Sequence, residues 1–183
     1  MKCKENNKEG LIIINTGRGK GKTTAALGLA LRAAGHGQKV LILQFIKGKW
    51  RTGEAKILDR LKPEIEMEQL GKGFIKIVDG RLRITARDRK NAEQSFQYTK
   101  EKVNSGKYDM IILDEINNIV SYGLLDVREV IKLVKEKPEK LCMVLTGRGA
   151  PDQLIDIADT VSEIKEIKHA YSRGIKAKKG IEY

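Results

Sequence analysis

Ten residues restrict this chain more than any others: Asn15-Thr-Gly-Arg-Gly-Lys-Gly-Lys-Thr-Thr24. They follow an apolar run, Leu11–Asn15, that reads as a buried strand. They lead into an Ala- and Leu-rich helix expected over Lys22–Gly35. Strand, glycine turn and helix in that order bring backbone N–H groups together around an anion. Gly17, Gly19 and Gly21 let the chain curl with its amides inward, and the helix adds its positive end. The usual phosphate loop is Gly, four residues, then Gly-Lys-Ser/Thr. Gly21-Lys22-Thr23 fits the end of that pattern, whereas Thr16 stands where its first glycine would fall. Lys22 supplies a point charge and the Thr23 hydroxyl can ligate a divalent metal. The candidate nucleotide-binding residues are therefore Thr16, Gly17, Arg18, Gly19, Lys20, Gly21, Lys22, Thr23 and Thr24. Arg18 and Lys20 make the loop unusually cationic, and either phosphate or water satisfies them.

Strands and helices alternate along the rest of the chain. Further strands are expected at Lys39–Phe45, Ile65–Leu70, Tyr108–Leu113, Leu141–Leu145 and Val161–Ile167. Further helices are expected at Thr52–Leu61, Thr85–Ser105, Val127–Lys135 and Asp152–Ala158, with Gly71–Ile84 irregular. The strong strands are continuous apolar runs, as when both faces of a sheet are covered. The expectation is a single α/β domain over 1–183, a P-loop NTPase-like fold with a mainly parallel sheet and helices on both faces. Ligands in such folds bind beyond the carboxyl ends of the strands.

One such end carries two acids. Met110-Ile-Ile-Leu-Asp114-Glu115 has the form of a Walker B element, whose acid holds Mg²⁺ directly or through water. Mg²⁺ takes one or two carboxylates plus phosphate oxygens and waters, so Asp114 and Glu115 pair with Thr23 as metal candidates. Both acids equally suit a helix N-terminus. Glu115 also suits an ATPase, where it would aim water at the γ-phosphate. To this point the residues read as a P-loop nucleotide enzyme and nothing finer.

Composition narrows the class a little. A net charge of +12 draws anions of any kind, nucleotides and nucleic acid included. Aromatic residues make up only 5%, which disfavours a base-stacking platform for nucleic acid. No apolar run reaches the roughly 18 residues of a membrane span. Met1–Gly10 has no apolar core of a secretion signal. Cys3 and Cys142 form no disulfide framework, so a cytoplasmic setting is expected. His36 lies at a helix end between two glycines and reads as a C-cap. His169 reads as structural.

Five blocks resemble the P-loop corrinoid adenosyltransferases of cobalamin biosynthesis. They are Thr16–Ala25, Gln44–Gly48 with Gly53-Glu54, Asp114-Glu-Ile-Asn117, Thr146-Gly-Arg-Gly-Ala-Pro151 with Ala158-Asp159, and Lys168–Tyr183. They span nearly the whole chain. The resemblance implies transfer of the 5′-deoxyadenosyl group of ATP to Co(I) of a corrinoid, with triphosphate leaving and ATP bound reversed relative to other P-loop proteins. It implies Mg²⁺ or Mn²⁺ as cofactor, ATP and a corrinoid as substrates, an electron-donating reductase or flavodoxin-like partner, and a homodimer. Neither nucleic acid nor membrane is an expected partner. It places Arg148 near ATP and Lys22 in catalysis. Gly71-Lys-Gly-Phe74 resembles the segment with corrinoid-facing aromatics, which makes Phe74 a catalytic candidate that displaces the lower axial ligand of cobalt. Two residues later the family has Trp where this chain has Lys76. The family's longer members cover the partner's site with an N-terminal helix, for which Met1–Gly10 is short and polar.

Two other readings fit the residues taken alone. One is a P-loop ATPase acting on nucleic acid, suggested by the basic charge. The other is a nucleotide-binding regulator without turnover.

Overall fold

The structure is a computed structural model that describes residues 9–46, 48, 53–71, 73, 76–78 and 81–181, with backbone alone at 76–78 and 81. The elements run β1 (Ile12–Thr16), α1 (Lys22–Gly35), β2 (Val40–Gln44), α2 (Gly53–Leu58), β3 (Ile65–Gln69), β4 (Lys76–Val78) and β5 (Arg81–Arg83). They continue with α3 (Ala86–Val103), β6 (Met110–Asp114), α4 (Ile116–Ser121), α5 (Val127–Lys135), β7 (Cys142–Thr146), α6 (Asp152–Ile155) and β8 (Thr160–Glu163). Among the described residues six strands form one sheet in the order β3-β2-β6-β7-β1-β8. Every neighbouring pair in it is parallel. All carboxyl ends therefore lie along one edge.

Side chains alternate between two cores, as the two-residue period of a strand requires. Ile14, Leu43, Ile111, Leu113 and Leu145 face one core, which α3, α4, α5 and α6 cover. Val40, Ile42, Met110, Ile112 and Val144 face the other, which α1 and α2 cover. α1 lies against the sheet through Ala26, Ala30 and Ala33, small residues on one helical stripe that permit close approach. α3 starts on a capping box in which Thr85 and Asp88 satisfy each other's backbone N–H. It buries Ala92, Phe96, Thr99 and Val103 on one stripe. His36 caps the end of α1 through its backbone, and Gly37 at φ 76° completes the left-handed turn.

Four expectations change. The segment 71–84 contains an antiparallel hairpin, β4 with β5. α4, unforeseen, begins directly after Glu115. The last strand ends at Glu163 rather than Ile167, because the chain there turns to cross the phosphate loop. The helix after Pro151 is only Asp152–Ile155. Phe74 lies outside the described residues.

Candidate active site

Residues 17–21 join β1 to α1 at the carboxyl edge of the sheet, and α1 begins at Lys22 with Gly21 in its cap position. Gly17 has φ 96° and Gly21 φ 122°, conformations that a side chain rarely adopts. The chain after β8 presses on this loop. Gly19 N–H donates to Ile164 O at 2.7 Å and Ile164 N–H donates to Thr16 O at 2.9 Å. A Cβ at Gly17 would lie 2.4 Å from Ile164 O, and one at Gly19 would lie 2.7 Å from it. These glycines thus admit the C-terminal segment as well as freeing the backbone.

Lys22 Nζ turns back into the loop and donates to Gly17 O at 2.8 Å and Gly19 O at 2.6 Å. Its pKa is lowered, first by burial and then by Arg148, against the raising influence of Glu115 and Asp114. Lys22 and Arg148 thus stand close enough to repel each other, and an anionic ligand between them would relieve that repulsion.

Beside the loop, four adjacent strands end in polar side chains. Gln44, Asp114, Thr146 and Asn15 follow Ile42, Ile112, Val144 and Ile13 by two residues, so they share the α1 face of the sheet. All four are buried. Asp114 is fully enclosed, and Thr23 and Thr146 donate their hydroxyls to its Oδ1 at 2.8 and 2.7 Å. Gln44 Nε2 donates to Oδ2 at 2.9 Å. A buried carboxylate is tolerated only with such compensation. Thr146 Oγ1 also accepts the N–H of Glu115 at 2.9 Å. That bond holds Glu115 at φ 68°, a left-handed conformation that costs a non-glycine residue about 1–3 kcal/mol. Glu115 occupies the cap position of α4, yet its side chain makes no capping bond; it lines the cleft.

The cleft so formed has a volume of about 560 Å³. Arg18, Gly19, Lys20, Gly21, Lys22, Thr23 and Thr24 form one wall, Glu115 and Arg148 another, and His169 and Ile181 of the C-terminal segment a third. Thr16 sits elsewhere. Its hydroxyl accepts Ala150 N–H at 3.2 Å, and it lines a second cleft of about 1100 Å³ behind the loop with Gly17. Arg18 and Arg148 border both clefts. Arg148 is anchored by its backbone N–H to Asn118 Oδ1 at 2.7 Å. Lys20 Nζ donates to Ile181 O at 2.6 Å, tying the C-terminal segment to the loop. His169 Nδ1 accepts Tyr171 N–H at 3.2 Å, a local structural bond at the rim.

The loop, Lys22, Thr23, Asp114, Glu115 and Arg148 therefore converge. Gln44, Thr146 and Asn118 join them although sequence reasoning assigned them no role. Gln44 and Thr146 shared one legible signal with Asp114, a polar residue ending an apolar strand.

The donors suit a hard cation. Thr23 spends its one hydroxyl proton on Asp114, which leaves its oxygen lone pairs for a metal, and Glu115 adds a carboxylate nearby. Among the described residues no three His, Cys, Asp or Glu side chains cluster to hold a metal by themselves. A Mg²⁺ ion, which shares its shell with phosphate and water, needs no such cluster. No described helix is long and apolar enough to cross a membrane.

The family model described as ATP:corrinoid adenosyltransferase BtuR/CobO/CobP matches residues 8–183. The corrinoid adenosyltransferase of Escherichia coli (strain K12) is 40% identical over 177 residues, which is 97% of this chain and 87% of that protein. Corrinoid adenosyltransferase CobA of Salmonella typhimurium (strain LT2) is 40% identical over 174 residues, 95% of this chain and 86% of that one. Among solved structures, a KaiC-like protein, PH0186 from Pyrococcus horikoshii OT3, superposes with a TM-score of 0.53, covering 88% of this chain and 76% of its own. At 16% identity that likeness speaks to the fold alone.

Proposed function

This chain belongs to the ATP:corrinoid adenosyltransferase family, and from that premise we propose that it transfers the 5′-deoxyadenosyl group of ATP to Co(I) of a corrinoid, either cobalamin or cobyrinic acid a,c-diamide. The Co(I) electron pair forms the bond to C5′. The C5′–O bond breaks with its pair staying on oxygen, and triphosphate leaves. The observation that carries this reading is the gathering of Lys22, Arg148 and loop residues 18–21 on one cleft beside Thr23, Asp114 and Glu115.

A leaving triphosphate accumulates negative charge, so fixed positive groups lower the barrier in place. The amides at the end of the loop and the start of α1 receive the phosphates, that of Gly19 being spent on Ile164 O. Lys22 exchanges its loop carbonyls for phosphate oxygens. Arg148 adds a second cation from the end of β7, and Arg18 and Lys20 stand at the rim. Thr23 and Glu115 would hold a divalent cation, with Asp114 fixing the Thr23 hydroxyl. Such a cation, Mg²⁺ or Mn²⁺, supplies further charge neutralisation to the triphosphate. Alignment of cobalt with C5′ contributes much of the remaining rate. Phe74, from the family likeness, faces the corrinoid and displaces its lower ligand. A cytoplasmic homodimer supplied with electrons by a reductase or flavodoxin-like protein completes the reading.

One incubation tests it: ATP, Mg²⁺, a chemical reductant and cobalamin. Triphosphate together with a new cobalt–carbon absorbance is the expected result. Orthophosphate released in response to DNA or RNA would replace the reading with a nucleic-acid ATPase. Tight ATP binding without any product would make the chain a regulator.

A further inference from the structure

Gln44 is fully buried at the carboxyl end of β2, and each polar group of its side chain and its main-chain carbonyl is engaged. Nε2 donates to Asp114 Oδ2 at 2.9 Å, and Oε1 accepts Gln69 Nε2 at 3.3 Å. The backbone carbonyl accepts the N–H groups of Leu70 at 2.9 Å and Gly71 at 3.1 Å. The three residues lie level across three strands, since Gln44 pairs with Asp114 on one side and with Gln69 on the other.

The amide can sit only one way round. Turned over, its oxygen would face the Asp114 carboxylate and its nitrogen the Gln69 nitrogen, two repulsive contacts in a buried place. The acceptor-only Asp114 carboxylate thus sets the orientation of Gln44, Gln69 completes it by donating to Oε1, and Gln44 supplies the donor on Asp114 Oδ2. Both donors on the other oxygen are hydroxyls, those of Thr23 and Thr146. Without Gln44 the carboxylate is held from one side alone, and it can swing away from Thr23.

The main chain of the same residue has a separate task. Its two accepted bonds direct the chain as it leaves β3. That exit is tight, since a Cβ at Gly71 would fall 2.5 Å from Ile46 O. The sequence that follows carries Phe74.

We propose that Gln44 is a positioning residue of the nucleotide site: its side chain aims the Asp114 carboxylate, and through it the Thr23 hydroxyl, at the metal–triphosphate. The proposal rests on the metal–nucleotide reading above. A residue that only packed the sheet would stabilise the fold without discriminating between ligands.

Gln44→Met keeps size and burial and deletes both side-chain bonds but neither main-chain bond. Calorimetry of the purified full chain compares ATP with Mg²⁺ and ATP with a chelator. The expected result is about tenfold weaker binding of Mg·ATP with metal-free ATP changed less than about twofold, because one hydrogen bond to a charged group is lost. The KM for cobalamin should hold while kcat falls. Equal affinities in variant and wild type, or equal losses with and without metal, overturn the proposal. If Gln44→Met does not melt cooperatively, Gln44→Leu poses the same question with a second apolar side chain of similar volume. There a loss confined to Mg·ATP supports the proposal, and no loss or an equal loss overturns it. Binding is measured without turnover, so a wild type that forms no adenosylcorrinoid refutes the proposed reaction and leaves the test of the Gln44 side chain intact.

Discussion

The Thr23 hydroxyl donates to Asp114 Oδ1 at 2.8 Å and so joins the first turn of α1 to the end of β6 across the cleft floor. Its proton is committed to Asp114, and its lone pairs are left for a cation. Thr23→Val keeps the shape and removes that oxygen. It should lower kcat/KM for ATP at least about tenfold, as loss of a charged hydrogen-bond partner does. Asp114→Asn should act through the same bond, so the double variant should be little worse than the poorer single one. Steady-state kinetics of the three variants check this, and additive losses would separate the two residues.

Lys22 braces the loop through Gly17 O and Gly19 O, and in the proposed function it meets the phosphate. Lys22→Ala should lose at least about tenfold in kcat/KM for ATP, corresponding to about 1.5–3 kcal/mol for a charged partner. Initial rates against ATP concentration measure it; rates near wild type would remove Lys22 from the site.

Gly17 and Gly21 both have positive φ, yet they differ in their surroundings. A Cβ at Gly17 meets backbone at 2.4 Å, whereas one at Gly21 meets only the tip of Ile164 at 3.9 Å. Gly17→Ala should therefore be less stable than Gly21→Ala by about 1–3 kcal/mol, the usual cost of overpacking. Thermal or urea unfolding of the pair decides the matter, and equal stability would mean that the crossing segment yields.

Phe74→Ala should slow the reaction that starts from Co(II) far more than the one that starts from chemically prepared Co(I). Co(I) has already shed its axial ligands, so a displacing ring is bypassed. ATP affinity should hardly change. Equal losses from both starting states would make Phe74 a packing residue. Lys76, in place of the second aromatic, makes this comparison informative for the family's mechanism.

Glu66 on the edge strand β3 accepts from Lys107 Nζ at 2.8 Å and Tyr108 OH at 3.1 Å. The Lys107 bond chiefly holds its carboxyl below the ordinary 4.5, against the opposing effect of burial and with the Tyr108 bond assisting. A depressed carboxylate stabilises the fold fully above its unfolded value and loses that contribution as pH falls through the folded one. The stability gap between wild type and Glu66→Gln should be level above about pH 4.5 and shrink below it. Urea unfolding across acid pH measures the gap; a constant gap would assign the effect to shape.

Local order was legible along the chain wherever apolar runs or glycine turns marked it. The strand into residues 16–24, the helix from Lys22, the strand ending at Asp114 and the cap at His36 all emerge from periodicity and turn chemistry, which act between near neighbours. The hairpin in 71–84 and α4 were not legible. Their pieces are three to six residues long, and packing rather than propensity selects them. Tertiary structure alone decided the strand order, and with it the meeting of Gln44, Asp114, Thr146 and Thr23. It also brought Ile164 over the loop to make Gly17 and Gly19 necessary. The reason is physical. The residue types at positions 23, 44 and 146 prescribe what each can donate or accept, but only cross-strand register and the packing of two cores bring them within 3 Å of the Asp114 carboxylate.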